Sequence, residues 1–377
     1  MVLLIRTACA ALMRGKATRV PEHPKTLLVV LTGKLGDIVC GTPVLRAIRA
    51  HLPATRLIVA GGGPLRALLA DSGLADEYLD AEAPDFESRA RSCHADAALI
   101  AGPSFATAAC AYLAGIPLVV VPDVQGGYSP AETKPYRFLK RLVRTFPYRM
   151  REYAPRERLR VLEPFGIVSD DTQKRLGFSE ADDRKAIQFL IENGIDGKKD
   201  FIVGISPSAG HKIKEWPTER FSTVADYLIE MYGAKIVLFS SKSEEARARA
   251  FLTHAKHAAA IVNSQGKFDI GGLKALIAKL NLFISVDTGP IYIAEAFGIP
   301  TIDITGPIDE NEQPPIGPRH MVVVPPERKR PELFVLNARQ YNAQEARRQV
   351  ESITVEAVTI VINQMILLLR EQHGTRT

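Results

Sequence analysis

A carboxylate in a glycine turn is the first feature of this sequence that could do chemistry. Asp37 follows the apolar, β-branched run Thr26–Leu31, which predicts a buried parallel strand, and the turn between them contains Gly33 and Gly36. Glycine lets a ligand approach the backbone closely, and Asp37 could act there as a general base that takes the proton of an attacking hydroxyl group. Aspartate is also a favoured helix N-cap, and the spacing leaves both roles open.

A second candidate site follows the predicted strand Phe201–Ser206. The segment after it is rich in small residues, including Ser208 and Gly210, and carries Lys212 and Lys214. Small residues beside lysines at a strand end suit a diphosphate, because each ammonium group acts as a point charge on the leaving group. A solvated loop whose lysines contact nothing is the alternative.

A third candidate site lies where the predicted strand Leu282–Val286 meets a helix that begins near Gly289. Backbone N–H groups and the helix dipole favour a phosphate at such a point. Asp287 and Thr288 are alternatively simple helix caps.

These three segments each follow a strand in a regular alternation of strands and helices. The alternation occurs twice and predicts an α/β fold with two doubly wound, Rossmann-like halves that face a cleft. Ligands are expected at the carboxyl ends of the strands. The predicted strands are Thr26–Leu31, Leu57–Ala60, Ala97–Ile100, Pro117–Val121, Phe201–Ser206, Ile236–Ser240, Ile261–Val262, Leu282–Val286 and Thr301–Ile304.

Length and composition fit a protein of two globular domains. The chain has 377 residues, of which 46% are hydrophobic and 24% charged. No apolar run reaches the roughly 18 residues that a transmembrane helix needs. The four cysteines lack metal-ligand spacing, which predicts a reduced, cytoplasmic chain without a metal or another cofactor.

The net charge of +6 is concentrated in one stretch. Lys134–Arg160 contains ten Lys or Arg and only two Glu. This excess predicts an anionic partner, such as a phosphate, an anionic lipid or an acidic sugar, and a solvated helix face explains it equally well. Nucleic acid is not expected, because no recognisable binding module and little aromatic interleaving accompany the charges.

The first twenty residues predict an amphipathic helix at a membrane interface. A signal peptide fits less well, because Arg6 interrupts an already short apolar stretch. A frayed or locally packed terminus is the alternative. The predicted helix sets four apolar residues against three basic ones: Leu3, Leu4, Leu12 and Met13 against Arg6, Arg14 and Lys16.

Three spaced motifs together resemble a known family. They are an LGD turn that ends at Asp37, a KxWP motif that begins at Lys214, and a DTGP motif that begins at Asp287. In this order they are similar to the bacterial heptosyltransferases of glycosyltransferase family 9, with resembling segments spread from Leu27 to Pro307. The resemblance implies a GT-B fold and an inverting transfer of L-glycero-D-manno-heptose from an ADP-sugar to the lipopolysaccharide inner core.

The resemblance also implies roles for particular residues. Asp37 matches the catalytic base of the family, and Lys214 matches the lysine that contacts the phosphates of the nucleotide-sugar. The further donor contacts that it implies are Asp287, Thr288 and Gly289 in the turn at the helix start, Glu244 on the ribose and Phe268 against the adenine.

The sequence departs from the family pattern at the expected donor site. Tyr292 stands where many members have histidine, and Ala209 and Gly210 stand where hydroxyl residues are frequent. The donor could therefore be ADP-heptose or another nucleotide-sugar, and an epimerase of the same fold is a further alternative. A degenerate homologue that binds nucleotide-sugar or lipopolysaccharide without turnover is disfavoured, because both Asp37 and Lys214 are present.

The same resemblance assigns a function to each part of the chain. Residues 1–23 form a basic and apolar segment, 24–178 an acceptor-binding domain, 179–350 a nucleotide-sugar-binding domain, and 351–377 a C-terminal helix that could cross back to the first domain. The expected acceptor is an anionic, lipid-linked saccharide at the inner-membrane surface, where the cytoplasmic protein would associate peripherally. The residues expected to meet it are Gly36, Arg137, Lys140, Arg141 and Arg144.

Overall fold

Six parallel strands form the sheet of the first half of the chain. The computed structural model describes residues 1–374, and within them this sheet has the order β3-β2-β1-β4-β5-β6. The central strand β1 pairs with β2 on one side and β4 on the other, so the strand order reverses there and defines a ligand crevice at the carboxyl end of β1. The strands are β1 Thr26–Val30, β2 Arg56–Gly61, β3 Glu77–Asp80, β4 Ala97–Ile100, β5 Leu118–Gln125 and β6 Arg144–Arg149.

Eight helices accompany this sheet in the described part of the chain. The helical pattern of Ile38–Ala50 predicts one continuous helix, and this is wrong, because the segment contains α2 and α3 with a break at Gly41. A Cβ atom at Gly41 would lie 2.8 Å from the Leu31 side chain, so the glycine lets the break pack against the end of β1. The helices are α1 Val2–Arg14, α2 Leu35–Val39, α3 Thr42–His51, α4 Leu65–Leu69, α5 Phe86–Ser92, α6 Phe105–Leu113, α7 Lys134–Lys140 and α8 Ala154–Leu159.

A second six-stranded parallel sheet forms in the other half, in the order β12-β11-β10-β7-β8-β9. Its strands are β7 Ile202–Ser206, β8 Lys235–Leu238, β9 Ile261–Asn263, β10 Leu282–Val286, β11 Thr301–Ile304 and β12 His320–Val323. The helices around it are α9 Glu180–Glu192, α10 Thr218–Tyr232, α11 Glu245–His254, α12 Ile270–Ile277, α13 Gly289–Ala296, α14 Ala343–Ser352 and α15 Val355–Gly374. The prediction of two doubly wound α/β halves is confirmed.

The chain divides into two compact units that are not continuous in sequence. The first contains Met1–Gly177 together with Asn311–Gln313 and Val335–Arg339, and the remaining residues form the second. Two short segments of the second half of the sequence thus belong to the first unit, an arrangement that a single boundary along the chain cannot describe.

The core of the second unit includes the C-terminal helix. Val358, Ile362 and Met365 of α15 are fully buried in the same apolar cluster as strands β7 and β10. The Trp216 side chain is also fully buried and donates a hydrogen bond from Nε1 to the Ile353 carbonyl oxygen at 2.9 Å. The apolar face of α15 is therefore covered within its own unit, and burying it does not require the crossing to the first domain that we considered.

The N-terminal helix forms as predicted, but its two faces differ from the prediction. Leu3 packs towards the core of the first unit, whereas Leu12 and Met13 are exposed. Residues nine positions apart lie on opposite sides of a helix, so Leu3 and Leu12 cannot share one apolar face.

Within residues 1–374 no single helix has both the length and the hydropathy of a membrane span, although α14 and α15, bent by 57° at their junction, have them as a pair. Their apolar residues include Val350 and Ile362, which lie in the core of the second unit.

Candidate active site

Asp37 lies at the carboxyl end of the central strand β1, on helix α2. Its Oδ2 atom accepts a hydrogen bond from the Lys34 backbone N–H at 3.1 Å, so the side chain does stabilise the helix start. Gly33 has a φ of +113°, and a Cβ atom there would lie 2.5 Å from Asp37 Oδ2. The glycine thus makes room for the carboxylate.

Arg158 on α8 holds the other side of this carboxylate. Its Nη2 atom donates to Asp37 Oδ1 at 3.0 Å, and Nη1 donates to the Asp37 carbonyl oxygen at 3.0 Å. Nη2 also donates to Gln313 Oε1 at 3.2 Å. Burial lowers the pKa of Arg158, but Tyr148 and Asp37 raise it by more, so the pKa lies above its usual value and the guanidinium stays charged.

A cavity of about 300 Å³ opens beside this ion pair within the first unit. Asp37 and Arg158 line it, and Thr32, Ser129 and Arg339 contribute further polar groups. The Arg158 side chain is 6% exposed and that of Asp37 is 28% exposed, so the carboxylate faces the cavity while its partner lies behind it. A buried guanidinium that fixes one carboxylate oxygen is an arrangement suited to an oriented general base.

In the second unit, Lys214 and Asp287 form an ion pair. Lys214 Nζ lies 2.5 Å from Asp287 Oδ2, and the Tyr292 hydroxyl donates to Asp287 Oδ1. The alternative that both lysines of this loop contact nothing is therefore wrong for Lys214, while Lys212 is exposed. The pair joins the loop after β7 to the turn after β10, which are neighbouring strands.

The turn before α13 does not use the helix caps that we considered. Thr288 is the N-cap residue of this helix and makes no side-chain capping hydrogen bond. The Asp287 side chain binds Lys214 and Tyr292 instead. Capping therefore does not explain why these two polar residues stand here.

Asp303 on β11 is a buried carboxyl group that no sequence motif singles out. It is fully buried, and within the described chain neither of its oxygens has a hydrogen-bond partner. Burial raises the pKa of Asp303 well above its usual value, the negative charge of Asp287 raises it further, and Lys214 opposes both effects.

The remaining donor-site candidates of the second unit differ in their surroundings. The Ser208 hydroxyl is buried and, in residues 1–374, has no hydrogen-bond partner, whereas Gly210 is exposed. Glu244 accepts a hydrogen bond from the Ser241 N–H at 2.6 Å. The Phe268 ring packs edge-to-face on Phe189 with centroids 5.1 Å apart. The contact of Glu244 is thus local, whereas Phe268 packs against helix α9.

Several side chains of the basic stretch Lys134–Arg160 are already bound to acidic or carbonyl groups of the protein. Lys140 lies 2.5 Å from Asp123 and 2.7 Å from Glu132, and Arg137 Nε donates to the Glu132 carbonyl oxygen at 3.0 Å. Gly36, the remaining acceptor candidate of the first unit, is buried within α2. Basic residues of this stretch that form ion pairs with Asp or Glu include Lys140, Arg149, Arg156, Arg158 and Arg160.

Within residues 1–374 no group of three or more His, Cys, Asp or Glu side chains is arranged to hold a metal ion.

Two six-stranded, doubly wound parallel sheets are the architecture of GT-B glycosyltransferases. Comparison with protein families agrees: the model of glycosyltransferase family 9 (heptosyltransferase) matches residues 89–340. This match covers more than half of the chain, and the chain belongs to this family. The predicted family is confirmed.

Characterised relatives match over part of their length. Lipopolysaccharide heptosyltransferase 3 of Escherichia coli K12 is 33% identical over 152 residues, which are 40% of this chain and 43% of the relative. Lipooligosaccharide heptosyltransferase 2 of Haemophilus ducreyi is 29% identical over 127 residues, or 32% of this chain and 36% of the relative. The chain thus spans less than half the length of the curated relatives that it matches.

Solved structures with the same fold cover most of the chain. The ADP-heptose lipopolysaccharide heptosyltransferase II of E. coli superposes with a TM-score of 0.71 at 18% identity, covering 92% of this chain and 99% of that one. A family 9 glycosyltransferase from Veillonella parvula gives a TM-score of 0.67 at 22% identity, with 79% and 85% covered. The E. coli heptosyltransferase WaaC with ADP-2-deoxy-2-fluoro heptose gives 0.63 at 17% identity, with 90% and 99% covered. These likenesses confirm the predicted GT-B fold.

Proposed function

We propose that this chain is an inverting glycosyltransferase that moves a heptose, or a related sugar, from an ADP-sugar to a lipopolysaccharide-core-type acceptor. The observation that carries the proposal is the Asp37–Arg158 ion pair at the wall of a polar cavity. Family membership and the names of the relatives, which are lipopolysaccharide and lipooligosaccharide heptosyltransferases, support it.

In this proposal Asp37 is the general base. It accepts the proton of the acceptor hydroxyl while that oxygen attacks the anomeric carbon from the face opposite the leaving nucleotide, so the configuration inverts. Arg158 does not touch the substrate in this scheme. It fixes the carboxylate in one orientation, which matters because small errors of placement are costly in the transition state.

Lys214 acts on the leaving group in this proposal. Its ammonium group moves from Asp287 to the diphosphate and neutralises the charge that develops there. Asp287, Thr288 and Gly289 present the start of α13 to the same phosphates. The other proposed donor contacts are Ser208, Gly210, Lys212, Glu244 and Phe268, and the buried Ser208 hydroxyl, which has no protein partner in residues 1–374, favours a polar ligand there.

For the acceptor, we propose an anionic, lipid-linked saccharide presented at the inner face of the inner membrane, with which the cytoplasmic protein associates peripherally. Gly36 directly precedes the proposed base, Asp37, in the sequence. Arg141 and Arg144 are exposed, whereas Lys140 shares its charge with two carboxylates and is the weakest of the basic candidates.

A different nucleotide-sugar is the second candidate donor, and one observation favours it. The Tyr292 hydroxyl binds Asp287, at a position where the family resemblance leads us to expect histidine. A phenol in place of an imidazole changes the hydrogen bonds available beside the proposed diphosphate site.

A ligand screen tests the donor directly. Thermal unfolding is measured with ADP-heptose and with ADP-, UDP- and GDP-linked hexoses, because a ligand that binds the native state raises its stability. The proposal requires the largest increase with ADP-heptose, and requires Lys214→Ala to reduce it. A larger increase with a UDP- or GDP-sugar would transfer the assignment to that donor. No increase with any of them would remove the transferase proposal.

A further inference from the structure

Helix α1 is anchored to the first unit by one face and by its basic residues. Leu3 and Ala10 pack against the apolar core of that unit. Arg6 forms an ion pair with Glu87 at 2.8 Å. Arg14 donates to the carbonyl oxygens of Tyr112 and Ile116, and its guanidinium lies 4.9 Å from the centre of the Tyr112 ring. Both arginines of the helix thus bind groups of the first unit.

The opposite face of α1 is apolar and exposed. Val2, Ile5, Cys9 and Leu12 follow one another at intervals of three, four and three residues, which places them in one stripe along the helix. Leu12 is 91% exposed and Met13 beside it is 85% exposed. A surface helix of a globular protein normally turns its apolar stripe inward and its arginines outward, so α1 has the reverse arrangement on this side.

The structure joins this stripe to the basic stretch that is distant in sequence. Ala17, three residues after the helix, donates its backbone N–H to the Leu142 carbonyl oxygen at 2.7 Å and bridges to Val143. Exposed basic residues therefore flank the end of α1 from two parts of the chain. They are Lys16, Arg19, Arg141 and Arg144, and in residues 1–374 none of these four forms an ion pair.

We propose that the outward stripe of α1 and this basic rim are one docking surface for an anionic lipid bilayer. An amphipathic helix in this setting lies in the plane of the interface, with its apolar stripe below the headgroups and its basic neighbours among them. Each exposed basic residue near an anionic leaflet strengthens binding by about fivefold, and the gain falls as salt screens it. The surface deepens the proposed function, because it would bring the enzyme to a lipid-linked acceptor.

Cys9 gives a direct readout of this contact. It is the exposed one of the four cysteines, while Cys40 and Cys93 are buried and Cys110 is partly buried. An environment-sensitive fluorophore on Cys9, in a Cys110→Ser background, is expected to shift to the blue on vesicles of phosphatidylglycerol in phosphatidylethanolamine. Vesicles of phosphatidylcholine alone are expected to give little shift, and added salt should weaken the response.

The matched variants exchange exposed apolar residues for charged ones on two different helices. Ile5→Glu with Leu12→Glu places two carboxylates on the outward stripe and should weaken co-sedimentation with the anionic vesicles by about tenfold or more. Ile187→Glu with Ile191→Glu on α9 is the control, since these two residues are also exposed and lie outside the surface. Both double variants should unfold at wild-type temperature, because all four side chains are exposed.

Several outcomes would overturn the proposal. They are absence of vesicle binding by the wild-type protein, equal binding by both double variants, and a concentration-dependent dimer that Ile5→Glu with Leu12→Glu abolishes while vesicles bind neither form. The vesicles contain neither donor nor acceptor, so this test is separate from the transferase assignment. Vesicle binding without sugar transfer would contradict the proposed function alone.

Discussion

Replacing Asp303 by asparagine tests whether a protonated carboxyl group lies buried next to the proposed diphosphate site. Asp303 is fully buried, and burial together with Asp287 raises its pKa well above the usual value. An unfolded chain releases this proton near pH 3.9, whereas the folded protein retains it to higher pH. Between the two pKa values the native state binds one proton more, so wild-type stability falls by about 1.4 kcal/mol for each pH unit of increase.

Asp303→Asn removes this dependence, because an amide does not titrate. The difference in unfolding free energy between variant and wild type should therefore move in favour of the variant by about 1.4 kcal/mol for each pH unit between the two pKa values. For a unit of this size, each such pH unit corresponds to a relative shift in melting temperature of about 3–6 °C. The absolute difference is less informative, since an unpaired buried amide costs about 1–3 kcal/mol at every pH.

Fluorescence of the single tryptophan is the assay, because Trp216 is fully buried in the same unit as Asp303. Urea unfolding is followed at several pH values for wild type, Asp303→Asn and a control, Asp226→Asn. Asp226 is a buried carboxylate that accepts hydrogen bonds at 3.0 Å from the Lys256 and His257 N–H groups. A pH-independent difference for Asp303→Asn, or one that favours wild type as the pH rises, would refute the reasoning.

Three further substitutions address the groups around the two candidate sites. Arg158→Lys keeps the buried positive charge but loses the two-point contact with Asp37. In steady-state kinetics, kcat should fall roughly tenfold or more while donor affinity is unchanged, and a raised donor Kd would place Arg158 in donor binding instead. Lys214→Ala should cost roughly 2–4 kcal/mol of transition-state stabilisation, measured as kcat/KM for the donor. An activity that a chelator abolishes but that is insensitive to Lys214→Ala would mean that a metal ion neutralises the leaving group instead. Tyr292→Phe removes the hydroxyl donor to Asp287 and should lower the unfolding free energy of the second unit by about 1.5–3 kcal/mol in urea unfolding. An unchanged unfolding free energy would mean that this hydrogen bond does not stabilise the fold.

The central strands of both sheets could be predicted from sequence, and of the four edge strands only β9 could. Ala97–Ile100, Leu282–Val286 and Thr301–Ile304 have the predicted bounds, because strands buried on both faces form continuous apolar runs. The three strands that the pattern missed, β3, β6 and β12, all lie at sheet edges. Edge strands are partly solvated and carry polar residues, as Arg144–Arg149 does, so the apolar signal is lost.

The residues of the candidate site, like the strands, could be predicted from sequence only in part. Asp37 and Lys214 could be selected because each follows a strand in a distinctive motif. Arg158 could not, since nothing in the sequence separates it from the nine other basic residues of its stretch, and only the fold brings it to Asp37. Asp303 was hidden for a different reason: it stands inside an apolar strand, where an aspartate breaks the pattern without forming a motif.

Asp37→Asn is the most direct test of the central claim that Asp37 is the general base of a glycosyl transfer. The substitution keeps the size of the side chain, and its one amide oxygen retains one of the two side-chain hydrogen bonds, from Lys34 or from Arg158. Arg158 still donates to the backbone carbonyl oxygen of residue 37, so the fold and the cavity should persist. Turnover of donor and acceptor should fall by about 10²-fold or more, while the Kd of the donor, measured by calorimetry on the same preparation, should stay near the wild-type value. Near-normal turnover in Asp37→Asn, with the donor bound as tightly as in wild type, would contradict the assignment.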